Sequence, residues 1–227
     1  MVRQTRKIGN APQHDDSGDT YDDGNPESEG PIEIAVVGDL TDNESELTDR
    51  LISVPPGGSC TMFFDSPGGS PYAAISLMTI IKLRGIVATG IVSGECSSAA
   101  LWPFAACRRR IVTPYSVLLF HPMKWQSEEH VGLHEAAEWA RHFAHLEIEM
   151  DQLLADLFGV PAASLADWIN PGKYVTGREF ASAGLGELME LTDLSRMSAS
   201  ANGAKMSSGN IRRGGTAEAG KKQRRPA

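Results

Sequence analysis

Sustained apolar patterning occupies residues 31–194, and its period changes from segment to segment. PIEIAVVGDL (31–40) is rich in branched residues and ends at Gly38-Asp39, the pattern of a buried strand. TDNESELTDRLISV (41–54) opens on polar start signals, then places Leu47, Leu51 and Ile52 at helical spacing. A Pro-Pro-Gly-Gly turn (55–58) precedes the strand CTMFFD (60–65). PYAAISLMTIIKLRG (71–85) predicts a helix closed by Gly85, and IVATGIVS (86–93) another strand. SSAALWPFAACRRR (97–110) predicts a further helical stretch. IVTPYSVLLFHP (111–122) holds a turn at Thr113-Pro114 and a strand at 116–120. Strands alternating with helices through 31–122 predict βαβ units and a parallel sheet, an α/β fold.

The pattern then shifts to one long helix, HEAAEWARHFAHLEIEMDQLLADLFG (134–159). Trp139, Phe143, Leu146, Met150, Leu153 and Leu157 recur at alternating steps of four and three, a single apolar stripe with charges on the other faces. Such a helix extends ~37 Å, more than a small sheet needs for cover. The expectation is a helix that projects from the globule and packs on a neighbouring chain.

Composition sharpens the boundaries. Residues 1–30 contain no Leu, Phe or Trp and carry seven acidic side chains; from Ser195 the chain is mostly Ser, Gly, Ala, Lys and Arg. Neither end can bury enough apolar surface to offset its ordering entropy. A disordered acidic arm (1–30), one folded domain (31–194) and a disordered basic tail (195–227) are expected. Net charge follows the same division, at −4, −11 and +7 within a total of −8. An acidic body repels phosphate backbones, and the basic tail lacks interleaved aromatics, so no nucleic-acid partner is expected. Three cysteines, Cys60, Cys96 and Cys107, each flanked by apolar residues, do not make a disulfide framework and point to a reducing, cytoplasmic setting. No apolar run reaches the ~18 residues of a membrane span.

Three strand-to-helix junctions hold the candidate chemistry. In FFDSPGGSPYAAI (63–75) Gly68 and Gly69 open the backbone, and a following Pro71 removes a donor that a phosphate cradle would need. In GIVSGECSSAALW (90–102) a serine stands where a helix begins, either as an N-cap or as a nucleophile. In SVLLFHP His121 ends a strand, where a histidine is commonly structural. Together, a sheet edge gathering a glycine pair, a serine and a histidine supplies what acyl transfer needs: a hydroxyl, a base and N–H donors for an oxyanion. The donors would be the N–H groups of Gly69 and Ala99. The histidines do not form HExxH and no cysteine pair has zinc-ligand spacing, so neither a metal nor a cofactor is expected. A crotonase-like acyl-CoA chemistry would leave the serine–histidine pair without a task.

These segments resemble ClpP, the proteolytic subunit of ATP-dependent Clp proteases. FFDSPGGSPYAAISLMTIIK resembles that family's NSPGG segment. SGECSSAAL resembles its nucleophile segment, and SVLLFHP the strand carrying its histidine. The intervals of 29 positions from Gly69 to Ser98 and 23 from Ser98 to His121 are close to the family's and select Ser98 over Ser97 or Ser93. YVTGREFASAGLGE resembles a segment near the family's C-terminus. The resemblance implies crotonase-like ββα repeats with a long handle helix, and a homo-oligomer of stacked rings. It also implies serine endopeptidase activity on unfolded polypeptide delivered by an AAA+ unfoldase. Two positions depart from it. The family's triad aspartate aligns with Gly172, with Asn170 and Asp167 the nearest polar side chains. The glycine-rich strand after the histidine is replaced by PMKWQSEEHVG, bulky and charged. The departure at Gly172 supports the alternative of a catalytically weak or inactive ring subunit.

Overall fold

The computed structural model describes residues 32–125 and 130–192. The expected acidic arm and basic tail lie outside the described residues, as does the 126–129 part of PMKWQSEEHVG. Strand β1 (Ile32–Asp39), helix α1 (Leu40–Ser53), strand β2 (Ser59–Gly68), helix α2 (Pro71–Leu83) and strand β3 (Val87–Cys96) alternate as the sequence pattern predicts. A single 3-10 turn (Ser98–Ala100) runs into the short helix α3 (Leu101–Ala106), followed by β4 (Arg109–Val112) and β5 (Val117–Phe120). The chain closes with α4 (Leu133–Phe158), α5 (Ala163–Ile169), β6 (Lys173–Thr176), α6 (Gly177–Ser182) and β7 (Glu187–Leu188).

Local chemistry explains several of these limits. Asp39 caps α1 by accepting from Thr41 N–H at 2.7 Å, and Ser70 caps α2 with Pro71 in its first turn, where a missing N–H costs nothing. Gly159 closes α4 in the left-handed conformation (φ +75°). β1, β2, β3, β4 and β7 lie in that order in one parallel sheet. The register runs Met62 against Gly90 and Ile91 against Ile111, so alternate residues of β2 and β3 face the helices that cover the sheet. Phe64, Phe104, Phe180 and Phe158 make a chain of ring contacts at 5.3, 5.9 and 5.5 Å through the core.

Two elements differ from the sequence pattern. Residues 97–110 are not helical throughout: the helix stops at Ala106, and Arg109–Val112 forms β4 beside β3. The arginines that look like a polar helix end are held by tertiary partners instead. Arg109 forks onto the Glu187 carboxylate at 2.7 and 2.9 Å, and Arg110 donates to the carbonyls of Ala105, Cys107 and Leu185. β5 leaves the parallel sheet as well. Ser116 Oγ donates to Val92 C=O and accepts from Thr113 N–H, both at 2.8 Å, and this turns the chain across the end of β3. β5 then meets β3 only at Glu95–Val117 and pairs antiparallel with β6.

α4 has two halves. Met150, Leu154, Ala155 and Phe158 are buried against the body, and Trp102 Nε1–H donates to Met150 C=O at 2.9 Å. The first half is largely exposed, Leu133 at 83%. Met150 therefore belongs to the protomer's own core rather than to an outward stripe, because it lies over α3. No described helix is long and apolar enough to cross a membrane.

Burial in this packing, aided by the nearby Glu147 carboxylate, pushes the Asp151 carboxyl up to about 6. The ordinary value in an unfolded chain is about 3.9. The folded protein thus holds the proton more tightly, and stability falls as pH rises from about 4 through 6. Asp151→Asn should therefore melt above the wild-type protein at pH 8, with the gap closing by pH 4. Scanning calorimetry across that range checks it.

Candidate active site

The carboxyl ends of β2 and β3, the 3-10 turn and the end of β5 surround one cavity of about 210 Å³. Gly69, Pro71, Ser98, Ala99, Trp102, His121, Met123 and Lys124 line it. All four residues singled out by the sequence, Gly69, Ser98, Ala99 and His121, are brought to it. Among the described residues no direct hydrogen bond joins Ser98 to His121.

Ser98 stands apart from the other described residues. It is the non-glycine residue with a left-handed backbone (φ +54°), a conformation costing of order 1–3 kcal/mol that persists only where surroundings enforce it. Three contacts do so. Ser97 N–H donates to Ser66 C=O at 3.0 Å. The Ser97 hydroxyl accepts Leu119 N–H at 3.2 Å, tying the turn to the strand that carries His121. Gly68 packs so closely that a Cβ there would lie 2.7 Å from Ser98 Cβ and 2.8 Å from Ser97 C=O. Neighbouring serines are thereby separated in kind. Ser97 is buried and bonded, whereas Ser98 is partly exposed and faces the cavity.

The two glycines also differ. Gly68 N–H is occupied, donating to Ser66 Oγ at 3.2 Å, while Gly69 N–H has no partner among the described residues. A Cβ on Gly69 would fall on the Asp39 carboxylate that caps α1. Ala99 N–H precedes the first bond of the turn, from Ala100 N–H to Ser97 C=O at 3.0 Å, and is left free of that ladder. Sequence reasoning singled out the Gly68-Gly69 pair and Ala99 but gave no bonding role to Ser66 or Ser97, which hold the turn. It also missed Asp65, whose carboxylate accepts Glu95 N–H at 3.1 Å and packs on Gly94.

On the other side of the cavity, His121 Nδ1 lies 2.6 Å from Pro122 C=O. A carbonyl oxygen only accepts, so Nδ1 carries the proton and Nε2 is left as the open nitrogen of the neutral ring. Gly172 lies directly against this histidine, where a Cβ would come 3.2 Å from His121 Cβ. The aligned triad position therefore lies beside His121 but brings no side chain, and neither Asn170 nor Asp167 bonds the imidazole. Cysteine nucleophiles are not offered instead: Cys96 and Cys107 are fully buried, and burial pushes their thiols far up.

An α/β body thus brings a hydroxyl, an imidazole and two backbone N–H groups to one cavity. The chain is 27% identical over 137 residues to an "ATP-dependent Clp protease proteolytic subunit" of Ostreococcus tauri, covering 60% of this chain and 68% of that protein. Its structure superposes on a mutant of ClpP1 from Listeria monocytogenes with a TM-score of 0.62 at 16% identity, over 71% of this chain and 93% of the other. No family model matches the chain. The chain is thus ClpP-like in sequence and has the ClpP fold.

Gly68→Ala tests the packing that holds Ser98. The new methyl meets backbone and Ser98 at once and sits at φ +105°, so a loss of about 3 kcal/mol is expected. Urea unfolding of the variant beside wild type measures it.

Proposed function

We propose that this chain is a serine endopeptidase of the ClpP kind. The observation that carries the reading is the convergence of Gly69, Ser98, Ala99 and His121 on one cavity, with Ser98 held at φ +54°. Ser98 Oγ attacks the scissile carbonyl while His121 Nε2 takes its proton. The oxyanion that forms is met by the N–H groups of Gly69 and Ala99, neither used elsewhere in the turn. The imidazolium then returns the proton to the leaving amine, and water repeats the cycle on the acyl-enzyme. Unfolded polypeptide is the proposed substrate, inside a homo-oligomer of stacked rings served by an AAA+ unfoldase, in the cytoplasm. The relative's printed description as an ATP-dependent proteolytic subunit supports that setting.

A second reading, a ring subunit of weak or no activity, draws on Gly172. In the template serine proteases the aspartate orients the imidazole, and its replacement by asparagine costs about 10⁴ in turnover. A fluorophosphonate probe separates the two readings. Label on Ser98, located by peptide mass spectrometry and lost in Ser98→Ala and His121→Ala, is the expected result. An intact wild-type protein that takes no label is the result of the second reading.

Assembly is tested on the exposed part of α4. Ile148 is 70% exposed, so Ile148→Glu should leave the fold unchanged. Its elution should shift to smaller species if α4 packs on a neighbouring copy. Phe143, stacked on Trp125 at 3.5 Å, is a less clean probe, because charging it also frees the Trp125 segment.

A further inference from the structure

The imidazole of His121 has an acidic partner in this protein, one peptide group removed. The carbonyl that accepts His121 Nδ1–H belongs to Pro122, and the N–H of that same peptide unit belongs to Met123. Met123 N–H donates to Glu147 Oε1 at 2.9 Å. Carboxylate, amide and imidazole therefore form a single chain of two hydrogen bonds: Glu147 to Met123 N–H, and Pro122 C=O to His121 Nδ1–H. We propose that Glu147 is the positioning carboxylate of His121, acting on the imidazole through the Pro122–Met123 peptide group. The inference rests on the reading of Ser98 and His121 as the catalytic pair.

The physical basis is the polarisation of an amide bonded at both ends. A carboxylate drawing on an N–H leaves more negative charge on the oxygen of the same group, and bonds in such chains strengthen one another. A bond to an ionised partner is roughly twice as strong as a neutral one. The peptide thereby presents His121 with a better acceptor than an isolated carbonyl. When the ring takes the proton of Ser98 at Nε2, its Nδ1–H remains in place and the positive charge faces the strengthened dipole. No proton passes to Glu147.

The supporting structure is built for this. Trp125 stacks on Phe143 of α4 with ring centroids 3.5 Å apart and planes 6° from parallel, fixing the segment just beyond the bonded peptide. Met123 packs on the core from the same segment. Gly172 lies beside His121 with no side chain to offer, so no carboxylate meets the ring from that position and the path through the peptide is the acidic connection present. The bulky, charged PMKW run that displaces a glycine-rich strand supplies the proline carbonyl, the methionine N–H and the tryptophan anchor.

Glu147→Gln keeps the size and an acceptor oxygen while removing the charge; Glu147→Leu removes both. Fluorophosphonate labelling of Ser98 should slow by about fivefold in Glu147→Gln and further in Glu147→Leu, with melting curves close to wild type. The decisive readout is the Nδ1 proton of His121, observed by NMR after histidine-selective ¹⁵N labelling. It should lie far downfield in wild type and move upfield in Glu147→Gln, a response that mere support of the segment would not produce. An unchanged Nδ1 proton in Glu147→Gln overturns the proposal, even where Ser98 labels normally. A wild-type protein that fails to label while its Nδ1 proton still responds to Glu147→Gln upholds the hydrogen-bonded path and removes only the reading of the pair as catalytic.

Discussion

The close approach of the end of β2 to the turn after β3 is the constraint on which the rest of the site depends. Gly68 touches Ser97, Ser98 and Ala99 at distances that leave no room for a single methyl. That contact fixes the hydroxyl at a left-handed residue, leaves Ala99 N–H outside the turn's own bonding, and places the next residue, Gly69, with its N–H unclaimed. A parallel sheet makes this meeting natural, since neighbouring strands deliver their carboxyl ends to the same edge. Ser66 and Ser97 complete it with backbone bonds in the interior, where unmatched polar groups are costly.

The imidazole is held by different means. Its strand, β5, has left the parallel sheet and pairs with β6. The Leu119–Ser97 bond and the short Glu95–Val117 contact connect it to the side that carries Ser98. The orientation of the ring then falls to the segment just after it, which is anchored on α4. The site is therefore assembled from two parts, a sheet edge that presents hydroxyl and amides, and a helix-anchored segment that follows the imidazole.

Much of this was legible in the sequence, and the reason differs by region. β1 to β3 and their helices follow from branched apolar runs alternating with capped helical stretches, where local preference and tertiary need coincide. Gly69 and His121 were singled out at the ends of strand-like runs, Ser98 by the ClpP-like spacing and Ala99 as the residue after it, and the structure brings the four to one cavity. β4 was hidden, as RRRIV lengthens a helical pattern unless one knows that Glu187 and three carbonyls wait for the arginines. Met150 was taken for an outward residue because a periodic stripe says which residues share a face, not how far along the helix the body ends. Glu147 carried no signal at all: its link to His121 passes through a backbone N–H 24 positions away, which no side-chain pattern records.

Gly172 has a consequence for how this chain can change over time. Its φ of +125° lies where only glycine is at ease, and a Cβ there would press on His121 Cβ at 3.2 Å. An aspartate placed there would meet an unfavourable backbone conformation and a close contact with His121 Cβ together. Any side chain at this position thus requires the backbone at 172 to change conformation before an acid is gained.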